Sequence, residues 1–206
     1  MDSVGGDFFD FHAISETELG VMVADVSGHG IPAALISAML KIAFSTQIRL
    51  SREPAQLMTQ INSTLLGKMK GAFLTASYIY INLETKQMIH ARCGHPPLII
   101  NRRGESKSKL SLPQGKLIGW IPELDIQEDI VSLHTGDRIV LYTDGITEAT
   151  NAEKEMIGQE NWESVVHRYS GYPISESKRL LLERIKEFTG NRSPDDDVTL
   201  VILEIE

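Results

Sequence analysis

Aspartates at the ends of apolar, strand-forming segments are the residues of this chain best suited to chemistry. Asp25 follows the apolar run 19–24, which is typical of a buried strand, and precedes a polar turn over 26–30. Behind the turn, residues 31–49 are apolar on most faces and predict a buried helix. A carboxylate at this point is fixed by the strand and faces an open end of the sheet. We therefore predict that Asp25 is the central ligand of a metal site.

A second aspartate is expected beside the first. Asp7 opens a predicted strand that continues to about residue 14, and the polar segment 16–18 predicts a turn. The two strands should form an antiparallel hairpin, which brings Asp7 and Asp25 to the same end of the sheet. Asp10 should point to the opposite face from Asp7, so we do not expect it among the ligands.

The same arrangement recurs near the C-terminus. A predicted strand over 138–142 ends just before Asp144 and Gly145, and a run of three aspartates, 195–197, directly precedes a predicted closing strand over 198–205. Asp196 or Asp197 is therefore a further ligand candidate. The alternative without a binding role is that the acidic run is a solvated turn.

Oxygen ligands without clustered His or Cys favour Mg²⁺ or Mn²⁺ over zinc. Two such cations, about 3.5–4 Å apart, can hold a water between them, lower its pKa and direct it at phosphorus. We therefore predict two divalent cations and a catalytic water held through Asp7 and Asp25. The predicted reaction is metal-assisted phosphoester hydrolysis, which requires no protein nucleophile.

Other interpretations of these motifs are weaker. Residues 28–33 also match the dinucleotide-binding pattern G-x-G-x-x-A, but Asp25 would lie close to a pyrophosphate and the next element is predicted as a second helix instead of a strand. His95, in a Gly-His-Pro bend, is either a ligand, a proton donor or a hydrogen-bonding partner of the bend, and the last is the commoner case. Cys93 is more consistent with a small buried apolar residue than with a nucleophile.

Composition limits the class of protein. The chain has 206 residues, enough for one large domain or two small ones, and its net charge of −8 argues against nucleic-acid binding. The single cysteine excludes an internal disulfide and suits a reducing cytoplasm. No apolar stretch has membrane-spanning length and no signal peptide precedes the first motif, so we expect a cytoplasmic protein without membrane insertion. The basic, polar segment 101–116 predicts a surface loop.

Five motifs together resemble those of the SpoIIE/RsbU-type bacterial serine/threonine phosphatases, members of the metal-dependent PP2C-like superfamily. In chain order they are Gly5-Gly6-Asp7-Phe8-Phe9-Asp10, Asp25-Val26-Ser27-Gly28-His29-Gly30-Ile31-Pro32-Ala33-Ala34, Gly94-His95-Pro96-Pro97, Tyr142-Thr143-Asp144-Gly145 and Asp196-Asp197-Val198-Thr199-Leu200. The resemblance covers essentially the whole chain. It implies an α+β fold, a four-layer α-β-β-α sandwich of two antiparallel sheets flanked by helix pairs, over a single domain at residues 1–206.

The resemblance also implies a ligand set. Asp7 and Asp25 would hold one cation, and the second would be held by Asp25, Asp144, Asp196 and the backbone carbonyl of Val26, with Asp197 and Gly145 as secondary candidates. In this alignment of motifs Ser27, and not His29, stands where the eukaryotic PP2C loop has a histidine. A general-acid role is therefore not transferred to His29.

The implied substrate is phosphoserine or phosphothreonine on a STAS-domain anti-anti-sigma protein, whose dephosphorylation drives partner switching. The family normally has a strand before its Gly-Gly-Asp motif, so we expect that this chain lacks that first strand and an upstream regulatory domain. A non-catalytic signalling module and a small-molecule phosphohydrolase are the alternative functions. The sequence leaves open whether the protein forms a homodimer and whether the full-length protein has an upstream sensor domain.

Overall fold

Antiparallel β-sheet is the main structure in both units into which the chain divides, Met1–Pro96 with Leu112–Leu133 and Pro97–Ser111 with His134–Glu206. The computed structural model describes residues 5–190, 192 and 196–206. In chain order the strands are β1 (Phe8–Ala13), β2 (Glu18–Val26), β3 (Leu74–Asn82), β4 (Gln87–Cys93), β5 (Leu98–Asn101), β6 (Lys109–Ser111), β7 (Glu128–Ser132), β8 (Arg138–Tyr142) and β9 (Leu200–Glu204). The helices are α1 (Ile31–Thr46), a 3₁₀ helix (Ile48–Leu50), α2 (Pro54–Leu65), α3 (Asp144–Thr147), α4 (Gln159–Tyr169) and α5 (Ile174–Phe188).

The first unit has a five-stranded sheet in the order β1-β2-β3-β4-β7. Its centre is β2, whose apolar run from Val21 to Ala24 is completely buried, as expected for a strand covered on both faces. Helices α1 and α2 pack on this sheet, and Phe44 of α1 meets Tyr78 of β3 edge to face with ring centroids 5.9 Å apart. The predicted hairpin of the first two strands is confirmed, with Phe8 paired to Ala24.

The second unit has a four-stranded sheet in the order β6-β5-β8-β9. Strand β8 is buried along its whole length, and helices α4 and α5 form an apolar cluster with it. Trp162 of α4 lies edge to face against Tyr142 at the end of β8, with ring centroids 5.9 Å apart. This packing holds the C-terminal end of β8, and therefore the start of the segment that carries Asp144.

Four predicted segments differ from the structure. The segment 101–116 is not entirely loop, because Lys109–Ser111 forms β6 and pairs with β5. A three-residue strand with one apolar side chain, Leu110, is too short to produce a detectable alternation. The segment after Thr143 is also not a simple turn, since Asp144–Thr147 forms the one-turn helix α3. Helix α1 ends at Thr46, three residues before the predicted end at 49, and β9 is shorter than predicted. None of the described helices is long and apolar enough to cross a membrane.

A buried histidine should make the stability of the first unit depend on pH. His90 of β4 is fully buried and its Nε2 lies 2.9 Å from Ser77 Oγ. Burial, reinforced by the charge of Arg92, lowers the pKa of His90 from 6.5 to about 3. At a pH below 6.5, His90 therefore binds a proton in the unfolded chain but not in the folded chain. The folded state consequently loses stability as the pH falls. The expected contribution is about 2 kcal/mol between pH 7.5 and pH 5.

The measurement is the free energy of unfolding by urea at several pH values for the wild type and for His90→Gln. The variant should be less stable than the wild type at pH 7.5, but it should lose less stability on acidification. His12→Gln is the matched control, because His12 lies in the same sheet and is only half-buried. Equal pH dependence of the wild type and His90→Gln would contradict the prediction.

Candidate metal centre

In the first unit, the hairpin of β1 and β2 brings two of the predicted ligands to one end of the sheet. The register pairs Phe8 with Ala24, and continuing it by one residue sets Asp7 opposite Asp25. On its other side Asp25 is paired with Thr75 of β3. Both aspartates are partly exposed, whereas Val26, which follows Asp25 and ends β2, is buried. The strand end thus offers two carboxylates and a backbone carbonyl.

Gly6 lies so close to this strand end that a side chain there would force the backbone to shift. A Cβ at this position would lie 2.8 Å from the carbonyl oxygen of Val26 and 3.4 Å from Asp25 Oδ1. Ser37 of α1 fixes the same segment, because its hydroxyl donates a hydrogen bond of 2.7 Å to the carbonyl oxygen of Gly6. The only sequence signal for Ser37 is that it is a polar residue within a mainly apolar helix.

The turn after Asp25 is held by Ser27. The backbone N–H of Phe73 donates to Ser27 Oγ at 3.0 Å, and the N–H of Ser27 donates to the carbonyl oxygen of Phe73 at 2.9 Å. Ser27 therefore has a positioning role, which brings the chain from β2 to α1. His29 of the same turn is exposed.

In the second unit, Asp144 begins α3 directly after Thr143, the residue that caps the helix. Thr143 connects β8 to the C-terminal segment, because its N–H donates to the carbonyl oxygen of Thr199 at 3.1 Å and its Oγ1 accepts from the N–H of Thr199 at 3.0 Å. Glu148 closes the helix with an N–H donated to the carbonyl oxygen of Asp144 at 2.8 Å. These bonds fix Asp144 at the end of a buried strand, as the sequence predicts.

Gly145 brings the acidic C-terminal segment close to Asp144. A Cβ on Gly145 would lie 2.0 Å from the carbonyl oxygen of Asp197 and 3.6 Å from the carbonyl carbon of Asp196. Asp196 is exposed, and its Oδ1 accepts a hydrogen bond of 2.8 Å from the backbone N–H of Asp197. The remaining aspartate of the run, Asp195, lies outside the described residues.

The carboxylates of the second unit disfavour one another's charge. The pKa of Asp144 is raised above its ordinary value, first by burial and then by the negative charge of Asp196, while backbone N–H groups of Asp144 and Gly145 partly offset both effects. The pKa of Glu148 is raised by partial burial and by the charges of Asp144 and Asp196. A bound cation would relieve this repulsion. The sequence does not single out Glu148, because its proximity to Asp144 depends on the one-turn helix α3, which is too short to be predicted.

The donors of each unit fit a hard divalent cation, because they are carboxylate and carbonyl oxygens. Within the part of the chain that the structure describes, no group of three or more His, Cys, Asp or Glu side chains lies close enough to hold a metal ion. The structure thus brings Asp144 together with Asp196, and aligns Asp7 with Asp25, as separate pairs. The complete ligand set stays a prediction.

The structure also shows the surroundings of three other residues considered in the sequence, His95, Asp10 and Cys93. His95 is almost fully buried, and its Nδ1 is hydrogen-bonded at 2.7 Å to Thr75 Oγ1 of β3, so this bond ties the bend to a neighbouring strand. Asp10 forms an ion pair with Lys41 of α1. Cys93 is fully buried, and burial raises the pKa of its thiol to about 12. A thiolate nucleophile is therefore not available at this position.

Comparisons with known proteins agree with the fold and the motifs. The phosphoserine phosphatases RsbP and RsbU of Bacillus subtilis are each 24% identical, over 208 and 201 residues, and the matches cover 98% and 97% of this chain. They cover 50% and 59% of those two proteins, so the chain spans little more than half the length of these curated relatives.

Among solved structures, the SiaA-PP2C domain of Pseudomonas aeruginosa superposes with a TM-score of 0.89 and 21% identity over 98% of this chain and 82% of that one. The predicted α+β class, with two antiparallel sheets and helices in a PP2C-like fold, is confirmed. The model of the family named Stage II sporulation protein E (SpoIIE) matches residues 15–206. The chain therefore belongs to the SpoIIE family, as the resemblance of its motifs predicts.

Proposed function

We propose that this chain is a Mn²⁺- or Mg²⁺-dependent protein serine/threonine phosphatase. Its substrate would be phosphoserine or phosphothreonine on a regulatory protein of the STAS-domain class. The observation that carries the proposal is the placement of two motif aspartates, Asp25 and Asp144, at the ends of buried strands. Asp25 adjoins the end of β2 and Asp144 follows β8, and each has a second aspartate beside it in its own unit.

The proposed ligand set uses these pairs. Asp7 and Asp25 would hold one cation, while Asp25, Asp144, Asp196 and the carbonyl oxygen of Val26 would hold the other. Asp197 and Gly145 are secondary candidates, and their backbones lie close together. When bound, the cations would offset the charge of the phosphate and provide a water-derived nucleophile at neutral pH.

The residues of this chain would supply positioning. Ser37 and the close approach of Gly6 hold the Asp7 segment against Val26 and Asp25. Thr143 fixes Asp144 relative to the segment that carries Asp196. Such preorganisation matters because a reacting group displaced by about 1 Å can cost about a hundredfold in rate. Since the thiol of Cys93 is buried and stays protonated, the covalent cysteine route is not proposed.

The substrate class is supported by kinship and not by a pocket. RsbP and RsbU are phosphoserine phosphatases by name, and their similarity to this chain extends over nearly all of it. Net negative charge, −8 for the chain, is consistent with a protein substrate approached through bound cations and disfavours a nucleic acid partner.

The decisive experiment measures phosphate release from a serine-phosphorylated STAS-domain protein with Mn²⁺, with Mg²⁺ and with EDTA. We expect turnover with either cation and loss of activity, by at least about a hundredfold, in EDTA. A panel of small phosphomonoesters, run in parallel, should show much lower kcat/KM. The reverse preference would instead support a small-molecule phosphohydrolase.

Calorimetric titration with Mn²⁺ separates the phosphatase from a non-catalytic module. The wild type should bind Mn²⁺ with a stoichiometry near two, and Asp25→Asn should lose binding. Absence of Mn²⁺ binding at millimolar concentration, together with absence of phosphate release, would contradict the proposal.

A further inference from the structure

A second candidate site lies in the second unit, at the opposite end of β8 from Asp144. Three neighbouring strands contribute one row of residues there, since Asn101 of β5 is paired with Arg138 of β8, which is paired with Glu204 of β9. This row lines a cavity of about 460 Å³. That volume lies within the range of small-molecule sites, about 300–1,000 Å³.

Arg138 has a buried donor without a partner. Arg138 is only 6% exposed. Its Nε donates to Glu204 Oε2 at 2.8 Å, and its Nη2 donates to the carbonyl oxygen of Tyr172 at 2.7 Å. These bonds lock the guanidinium in place. The remaining nitrogen, Nη1, is buried and has no hydrogen-bond partner among the described residues. Buried polar groups of this kind normally have a partner, so Nη1 indicates an acceptor that a bound molecule would supply.

Asn101 has a second donor of the same kind. Its residue is 3% exposed. Its Oδ1 accepts a hydrogen bond of 2.6 Å from Ser108 Oγ and lies 3.2 Å from His167 Nδ1. The amide nitrogen, Nδ2, is buried without a partner in the described part of the chain.

The charge around the cavity favours an anion. Its lining includes three arginines, Arg102, Arg103 and Arg138, against two glutamates, Glu105 and Glu204. Arg138 is paired with Glu204 and Arg102 lies near Asp137 and Glu105, whereas Arg103 is exposed and forms no ion pair within the described residues. Helix α5 begins directly after the lining residue Pro173, with no side chain capping its N-terminus, which adds partial positive charge.

We propose that this cavity binds the phosphate group of a small phosphate monoester. Arg138 Nη1, Asn101 Nδ2 and the Arg103 guanidinium are donors from which the oxygens of a phosphate can accept hydrogen bonds, and arginine is well suited to such planar, multiple donation. The volume exceeds that of a free phosphate ion and leaves room for the esterified group. The site is separate from the proposed metal ligands, and the inference does not depend on the proposed phosphatase activity.

The test is isothermal titration calorimetry of the full chain with AMP, inorganic phosphate and adenosine, at matched ionic strength and in EDTA. Without divalent cations, binding at the candidate metal centre does not contribute. We expect saturable binding of AMP, weaker saturable binding of phosphate, and none of adenosine. Arg103→Glu reverses an exposed charge, and Asn101→Asp replaces the buried Nδ2 donor with a carboxylate oxygen that would also repel a phosphate. Each should weaken AMP binding by at least about tenfold.

Arg168→Glu is the matched control, because Arg168 is an exposed arginine of α4 outside the cavity lining, and it should bind AMP as the wild type does. Circular dichroism and thermal unfolding verify that the variants fold. If Asn101→Asp does not fold, Arg103→Glu alone decides. The proposal is overturned if neither AMP nor phosphate saturates by about 10 mM, if adenosine binds as well as AMP, or if Arg103→Glu binds AMP like the wild type.

Discussion

Asp144→Asn is expected to reduce phosphate release by about a thousandfold, and Asp25→Asn by a similar factor. Asparagine has nearly the same shape as aspartate, but it lacks the charge that a divalent cation needs from its ligand. The double variant should be slower than the worse single variant by no more than about tenfold, because residues that act as one unit have strongly non-additive effects. Additivity is therefore a direct test of whether aspartates from the two units serve one reaction.

Asp144→Asn should lower activity but raise the stability of the folded protein when no cation is present. The pKa of Asp144 is raised by burial and by Asp196, which means that its ionised form destabilises the folded state at neutral pH. Asp144→Asn removes that unfavourable charge, so the cation-free variant should unfold at a higher temperature than the cation-free wild type. Added Mn²⁺ should raise the unfolding temperature of the wild type and have a much smaller effect on the variant.

Kinetics with saturating Mn²⁺ and thermal unfolding with and without Mn²⁺ provide both measurements. Asp10→Asn is the control, since Asp10 belongs to the same motif as Asp7 but is paired with Lys41. It should keep activity within about threefold of the wild type, as expected for an exposed pair. Wild-type turnover by Asp144→Asn, or a double variant whose loss equals the product of the two single losses, would refute the assignment.

The hairpin carrying Asp7 and Asp25 could be predicted because its information is local. An apolar run, a polar turn and a second strand-forming run determine an antiparallel pair, and the pairing then decides which end each aspartate occupies. The observed register pairs Phe8 with Ala24, and its continuation by one residue sets Asp7 opposite Asp25 within the same hairpin. The position of Asp144 could be predicted equally well, since the buried strand β8 ends two residues before it.

Contacts between distant segments could not be predicted. Nothing in the sequence near Gly145 shows that the backbone of Asp197 lies against it, or that Ser37 holds Gly6, because those contacts depend on tertiary packing. Without those contacts, Arg102 and Arg103 indicate only the charge of a surface loop. Only the pairing of β5, β8 and β9 reveals that Arg138 is buried beside Asn101 and Glu204. Short elements such as β6 and α3 have too few residues for a periodic signal.

Gly145→Ala is expected to lower activity by at least about a hundredfold while leaving the protein folded. The added methyl group would lie 2.0 Å from the carbonyl oxygen of Asp197 and 3.0 Å from its carbonyl carbon, so one of the two backbone segments has to move. The C-terminal segment is the more yielding side, because Asp196 and Asp197 precede β9 and are not part of a strand. Displacing it would separate the Asp196 carboxylate from Asp144, and overpacking of this kind typically costs about 1–3 kcal/mol of stability.

Gly171→Ala is the matched control in the same unit, because a Cβ at Gly171 would meet nothing within 4 Å and its backbone needs no glycine. The Mn²⁺ concentration for half-maximal activity should rise in Gly145→Ala and stay unchanged in Gly171→Ala. This readout separates a displaced ligand from general destabilisation, since a merely less stable protein would lose amplitude at every Mn²⁺ concentration without a shift in the midpoint. Unchanged Mn²⁺ dependence and turnover in Gly145→Ala would mean that the position of Asp196 relative to Asp144 has no part in holding the cation.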